Sequence, residues 1–199
     1  YGSNVAGGSI LNDGTITTTY SDGIYVRGAN AGAITNSGTI DAGDNGIEVR
    51  GRSDGGMVGF AAVALDGVEG EPETVETVPS NSGTITNTGS IVAETNGILV
   101  DGPTTGMYKV FAIAAEAPIT VEPLTVPTNS GRITNAGTIE AGENGIQIGS
   151  GKSDYLMKMK VPVSTTTVSN TGIIENLKDA KITAKGSGIS LAAMNAAGG

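Results

Sequence analysis

One short pattern, Ile-x-Asn-x-Gly-Thr/Ser-Ile, recurs along the chain and limits what it can fold into more than any other feature. Each copy is followed, after a short stretch, by Asn/Asp-Gly-Ile-x-Val/Ile. The copies span residues 10–26, 34–49, 85–100 and 133–148. Self-similarity of this kind is the signature of a solenoid, in which each unit buries its apolar side only against its neighbours.

A fifth copy is split in the sequence. Val168–Gly172 opens it, Ile182–Leu191 closes it, and we predict that residues 173–181 are an insertion at its first turn. The asparagines of the pattern give the period. From Asn12 to Asn36 the step is 24 residues, which suits one coil of a three-sided β-helix, and the longer steps that follow predict insertions.

The apolar residues of the pattern predict a core of aliphatic columns. Strand side chains alternate between two faces, so each coil should turn its Ile, Val and Ala inward. Stacked coils would then place like on like. The expected columns are Ile16, Ile40, Ile91, Ile139 and Ile182; Ile24, Ile47, Ile98, Ile146 and Ile189; and Val26, Val49, Val100, Ile148 and Leu191.

The corners of each coil have their own signals. Gly38 should turn the chain with a positive φ, and Asn45-Gly46 marks a second turn. The asparagines of the pattern fall at one corner, where stacked amides can hydrogen-bond along the axis and to the turn backbone. We therefore predict a structural ladder of Asn12, Asn36, Asn87, Asn135 and Asn170.

The chain departs from the pattern after the third strand of three coils, at about 52–80, 103–128 and 150–167. The first two segments are predicted to be β-hairpins that project from the same corner. Insertions between repeats often form a binding side, so the candidate binding residues are Phe60, Tyr108, Phe111 and Tyr155. The alternative is that these apolar groups pack on each other and on the wall of the helix.

Composition excludes several classes of function. A net charge of −9 would repel a phosphate backbone, so we expect no nucleic-acid partner. The chain has no His and no Cys, which removes the commonest general base, the commonest metal ligand and any disulfide. No apolar run approaches the roughly 18–20 residues that span a bilayer. The sequence therefore predicts no catalytic residue, no metal, no cofactor and no membrane span.

Carboxylates are the remaining candidates for chemistry. Asp41 and Asp44 lie on one predicted coil, and Glu140 and Glu143 occupy the matching places two coils away. That separation suits the paired acids of a glycoside hydrolase, although aromatic and basic residues do not converge there. A solvated acidic edge is the favoured interpretation.

The segment Ile34–Ile40 and its counterparts at 85–91 and 133–139, with the trailing Asn-Gly-Ile-x-Val, resemble the coils of bacterial autotransporter passenger domains and related secreted adhesins. The resemblance covers the five coils and not the insertions. It implies a right-handed helix, export to the cell surface and an activity carried by loops.

We therefore expect an all-β chain that forms one domain over residues 1–199, a right-handed parallel β-helix of about five coils with β-hairpin insertions on one side. The expected function is a noncatalytic extracellular or cell-surface scaffold or adhesin segment that binds a host or surface protein or glycan. Two alternatives stay open: a polysaccharide-active β-helix enzyme, and a filament or surface-layer subunit that self-associates end to end.

Overall fold

The computed structural model describes residues 3–51, 80–101, 127–149 and 169–191, and every regular element within these ranges is a β-strand. Strands β1 to β3 form the first coil, and each later coil repeats them. The strands are β1 Ser9–Asn12, β2 Thr15–Thr18, β3 Ile24–Arg27, β4 Ala33–Asn36, β5 Thr39–Ala42, β6 Ile47–Arg50, β7 Thr84–Asn87, β8 Ser90–Ala93, β9 Ile98–Asp101, β10 Pro127–Asn129, β11 Arg132–Asn135, β12 Thr138–Ala141, β13 Ile146–Ile148, β14 Ser169–Asn170, β15 Ile173–Asn176, β16 Lys181–Ala184 and β17 Ile189–Leu191.

Fifteen of the strands form three parallel five-stranded sheets, one for each side of the coil, and β10 and β14 form a separate two-stranded parallel sheet. The orders of the five-stranded sheets are β1-β4-β7-β11-β15, β2-β5-β8-β12-β16 and β3-β6-β9-β13-β17. Each strand pairs with the equivalent strand of the coils above and below it. This stack of five coils is a parallel β-helix, as the repeat predicted.

The register places identical or similar residues on top of one another, and the three predicted aliphatic columns are confirmed. Ile40 lies between Ile16 and Ile91, and Ile98 lies between Ile47 and Ile146. A further column on the first side contains Ile10, Ile34, Ile85, Ile133 and Ile174. Column residues of the three middle coils are almost completely buried, so the core depends on the stack and not on any single coil.

The glycine at the corner between β4 and β5 is needed for a reason other than the predicted one. Gly38 has a negative φ, so the predicted left-handed turn was wrong. A Cβ at Gly38 would instead overlap the carbonyl oxygen of Gly14 in the preceding coil. Gly89 stands in the same relation to Gly38. Stacked corners approach one another so closely that only a residue without a side chain fits between them.

The fifth coil differs from the sequence prediction. Residues 173–181 are not an insertion, because Ile173–Asn176 forms β15 and pairs with β11. Ile174 lies beside Ile133 and continues the core column. Only residues 177–180 lengthen the corner, where Asp179 adopts a φ of 70°. This corner has lost the Asn-x-Gly signal, since Asn176 is followed by Leu177 and Lys178, and the sequence match therefore moved to an earlier Asn-x-Gly.

The predicted hairpins at 52–80, 103–128 and 150–167 lie almost wholly outside the described residues. Their last residues, Ser80 and Thr128, are described and belong to coils. Asn81 donates a backbone hydrogen bond to the Thr128 carbonyl oxygen at 3.0 Å, and Pro127–Asn129 forms β10. The first two insertions therefore end one and two residues earlier than predicted.

Candidate functional site

Asparagine side chains form a continuous ladder at the corner between the first and second sides. Asn36 Nδ2 donates to Asn87 Oδ1 at 2.8 Å, and Asn87 Nδ2 donates to Asn135 Oδ1 at 2.8 Å. Asn12 joins below, with its Nδ2 2.7 Å from Asn36 Oδ1. The three middle residues of this ladder are completely buried, so the amides satisfy one another where water cannot.

Asn170, the fifth predicted member, lies elsewhere. The fifth rung of the first ladder is Asn176, whose Oδ1 accepts a hydrogen bond from Asn135 Nδ2 at 2.7 Å. Asn170 instead accepts from Asn129 at 2.6 Å. It is the last rung of a second ladder at the preceding corner, which contains Asn4, Asn30, Asn81, Asn129 and Asn170.

A signal for the second ladder is present in the sequence. Asn-x-Gly occurs twice in each regular coil, six residues apart, as in Asn30-Ala31-Gly32 and Asn36-Ser37-Gly38. The prediction used only the second occurrence, because the Ile that precedes it made it part of the repeated pattern. Two Asn corners in each coil would have assigned Asn170 and Asn176 to different ladders.

A third polar column occupies the corner before the third side, and its hydrogen bonds run in the opposite direction. Asn144 Nδ2 donates to Asn96 Oδ1 at 3.2 Å, and Asn96 Nδ2 donates to Asn45 Oδ1 at 2.9 Å. Asn45 donates in turn to Asp22 Oδ1, from its backbone N at 3.1 Å and from Nδ2 at 2.9 Å. The column therefore ends on a carboxylate in the first coil.

A partly buried cluster of ionisable side chains adjoins that carboxylate on the third side. Glu48 occupies an outward position of β6, yet only 2% of its surface is exposed. Its Oε1 lies 2.7 Å from Arg50 Nη2, and its Oε2 accepts from Asn45 Nδ2 at 3.3 Å. Arg50 Nε lies 3.7 Å from Asp101 Oδ2 in the next coil. Nothing in the repeated pattern predicts this cluster.

The surroundings of Glu48 favour its protonated form. Burial and then the negative charge of Asp22 raise the pKa of Glu48 from 4.5 to about 8, and a hydrogen bond to Asp22 and the charge of Asp101 act in the same direction. Arg50 lowers the pKa. At neutral pH Glu48 therefore holds a proton beside the Asp22 carboxylate.

Within the described ranges, no three or more His, Cys, Asp or Glu side chains lie together in a group that could hold a metal ion. Asp41 and Glu140 flank Val92 in one column on the second side, two coils apart. Asp44 accepts a hydrogen bond from Thr95 Oγ1 at 2.7 Å, and Glu143 lies at the next rung, where its backbone N donates to the Thr95 carbonyl oxygen at 2.7 Å.

The four predicted binding residues Phe60, Tyr108, Phe111 and Tyr155 lie outside the described ranges, but the places where the chain leaves the coils are described. Gly51 N donates to the Asp101 carbonyl oxygen at 3.2 Å, and Gly149 N donates to the Val100 carbonyl oxygen at 2.8 Å. On the return edge, Asn81 N donates to Thr128 O and Thr171 N to Asn129 O. The three points where the chain leaves the coils are therefore stacked at the end of the third side. The three points where it returns are stacked beside them, at the corner before the first side.

The same three coils differ from the first and last coils on their outward surface. Glu48, Leu99 and Gln147 occupy the outward middle position of β6, β9 and β13, and each is at least 94% buried. In the first coil the equivalent residue, Tyr25, is 45% exposed. Among the described coils, burial of this outward middle position is thus confined to the three that are followed by departures from the repeat.

Comparison of the chain with family models, curated proteins and solved structures finds no match. Within the ranges that the structure describes, no helix is long and apolar enough to cross a membrane.

Proposed function

We propose that this chain is a noncatalytic scaffold segment of an extracellular or cell-surface protein, and that its coils hold three insertions side by side as a surface for binding a protein or glycan. The observation that carries the proposal is the stacking of the three departure points and the three return points along one edge. Neighbouring coils are spaced by about 4.8 Å, so the insertions must begin and end close together.

The described polar groups support a structural role for the coils. Three columns of side-chain amides are used in hydrogen bonds between coils, and the inward apolar residues are used in the core. The stack is therefore suited to hold other segments at fixed spacing. The resemblance of the coils to autotransporter passengers and secreted adhesins adds the expectation of a surface location.

The connection between the first and second coils shows how two coils can be joined without an insertion. Between the first and second coils, Gly28 and Ala29 alone connect Arg27 to Asn30. Arg27 and Asn30 occupy the same columns as Asp101 and Asn129. Replacing residues 102–128 by Gly-Ala should therefore close the third coil without disturbing the stack.

The test is a glycan and surface-protein binding array on the purified chain and on two variants. One is this Gly-Ala variant, and the other is a matched variant in which residues 52–79 are replaced by the two-residue linker Gly-Ser. Unchanged far-UV circular dichroism would show that the variants keep their coils. Binding by the parent chain that the 102–128 replacement abolishes supports the proposal. Binding that persists in both variants contradicts it.

A polysaccharide-active enzyme is the second candidate, and the positions of Asp41 and Glu140 favour it. The two residues lie two coils apart on one face, which is about 10 Å along the stack and at the upper limit of the carboxyl separation in inverting glycosidases. Release of reducing ends from a panel of polysaccharides, lost in both Asp41→Asn and Glu140→Gln, would replace the scaffold proposal with this one.

A further inference from the structure

Glu48 occupies a position that a neutral amide fills two coils further along the stack. The outward middle residue of the third side is Glu48 in the second coil and Gln147 in the fourth. Asn45 Nδ2 donates to Glu48 Oε2 at 3.3 Å. In the same way, Asn144 Nδ2 donates to Gln147 Oε1 at 2.6 Å. Both acceptors are almost completely buried, so the position suits an uncharged side chain that accepts a hydrogen bond from the corner.

One amide group joins Glu48 to a carboxylate of the first coil. Asn45 Nδ2 lies 2.9 Å from Asp22 Oδ1 and 3.3 Å from Glu48 Oε2. While Glu48 is protonated, its O–H group donates to the Asp22 carboxylate. Loss of this proton leaves two carboxylates that share one donor, and a buried charge without a full set of partners is costly.

The ionisable groups around Glu48 come from three coils. They are Asp22, Tyr25 and Arg27 in the first coil, Arg50 in the second and Asp101 in the third. Burial and then the charge of Asp22 raise the pKa of Glu48 to about 8, the charge of Asp101 adds to the rise, and Arg50 lowers the pKa. Arg50 Nε also lies 3.7 Å from Asp101 Oδ2. Arg50 is therefore shared between two acids, and the balance of charges around Glu48 favours its neutral form.

Backbone hydrogen bonds between β3 and β6 flank Glu48 on both sides. Before it in the ladder, Gly23 N donates to the Asn45 carbonyl oxygen at 3.0 Å. After it, Gly28 N donates to the Arg50 carbonyl oxygen at 2.9 Å. Separation of β3 from β6 breaks these bonds, removes the carboxylate of the first coil from Glu48 and admits water to its side chain.

We propose that Glu48 is a pH-dependent switch for the contact between β3 and β6. The neutral side chain packs as Gln147 does and binds Asp22, whereas the ionised side chain is stable only after β3 has separated and water has reached the carboxylate. Among the described residues, Glu48 is the only buried side chain that carries a carboxyl group. The opening is therefore local to the third side. It lies where the chain leaves the second coil, because Gly51 follows three residues after Glu48.

The direction of the pH dependence follows from the two states of this contact. The pKa of Glu48 is raised from 4.5 to about 8 while β3 is in place. Opening therefore becomes more favourable as the pH rises between these two values, by at most about tenfold for each pH unit, and it levels off above the higher value. Below pH 4.5 the closed contact is fully retained.

Amide hydrogen exchange, measured by NMR between about pH 5 and 8 and corrected for the intrinsic exchange rate, tests the switch. We expect the protection of the Gly23 and Gly28 amides to fall several-fold for each pH unit. It should also stay at least about tenfold below that of the Thr138 amide in the fourth coil. Glu48→Gln supplies the side chain found at position 147 and should make the protection of both amides independent of pH. Glu94→Gln, which removes an exposed carboxylate from another corner, is the control and should behave like the parent chain.

The same measurements can overturn the proposal. Protection of Gly23 and Gly28 that does not change with pH in the parent chain, or that changes equally in Glu48→Gln, would remove Glu48 as the cause. Equal protection at Thr138 would show that the stack unfolds as one unit and that no local contact opens. A further measurement needs no variant: the carboxyl carbon of Glu48, followed by NMR, should titrate at about 8. A midpoint near the ordinary value of 4.5 would contradict the proposal.

Discussion

Replacing Asn87 by leucine is predicted to lower the free energy of unfolding by about 2–5 kcal/mol. Asn87 is completely buried at the middle of the first ladder. Its loss removes the donor to Asn135 Oδ1 and to the Thr138 carbonyl oxygen at 3.1 Å. It also removes the 2.8 Å acceptor of Asn36 Nδ2, which keeps its 3.2 Å hydrogen bond to Ser90 O. Each buried polar group left unpaired costs about 1–3 kcal/mol.

The assay is guanidinium unfolding followed by far-UV circular dichroism, with extrapolation to water. The matched control is Asn12→Leu in the first coil. Asn12 donates to Asn36 Oδ1 and Thr39 O, and it has no preceding rung to satisfy. Its replacement leaves two acceptors unpaired, as that of Asn87 does, but removes no acceptor from a preceding rung, so it should cost less than that of Asn87. A loss below about 1 kcal/mol for Asn87→Leu, or an equal loss for both variants, would refute the ladder as a source of stability.

Four further variants test three other parts of the structure. Because its folded-state pKa is raised, Glu48 contributes stability that is present below pH 4.5 and lost as the pH rises toward about 8; the upper limit is about 5 kcal/mol at about 1.4 kcal/mol per pKa unit. Glu48→Gln should therefore unfold with a flatter pH dependence than the parent between pH 5 and 9, and parallel curves would contradict the shift. Gly89→Ala should lower the free energy of unfolding by at least about 2 kcal/mol because its Cβ would meet the Gly38 carbonyl, whereas Gly14→Ala should cost nothing by the same denaturant assay. Ile91→Ala should cost about 2–5 kcal/mol in calorimetry, since Ile91 is completely buried between two other isoleucines.

The β-helix could be predicted from the sequence because the residues that mark its period, inward Ile and corner Asn, stack on residues of the same type in the next coil. Identical Ile and Asn positions recur, so the register of neighbouring coils follows once the copies are aligned. The alignment failed only at the fifth coil, where the corner after Asn176 has lost its glycine and Asn170 offered a better match. The close packing between corners, which requires glycine at position 38, depends on the backbone of the preceding coil. It left no separate signal in the sequence.

The buried cluster around Glu48 was not predictable in the same way. Glu48 lies between inward Ile47 and Val49, and strand alternation alone places it on a solvated face. Its raised pKa depends first on its burial and then on Asp22 and Asp101, which come from the preceding and following coils. No local pattern records that these charges converge.

The most direct test of the stacked register is a disulfide between residues that are distant in sequence, in a chain that has no cysteine of its own. Thr35 and Thr86 are register partners in adjacent coils, about 4.8 Å apart across the parallel pair, a separation that a disulfide can bridge. Thr35→Cys with Thr86→Cys should form an intramolecular disulfide readily under mild oxidation. Thr35→Cys with Ser90→Cys, which lies on another side of the coil, should not. Equal or reversed yields for the two pairs would contradict the β-helix described here.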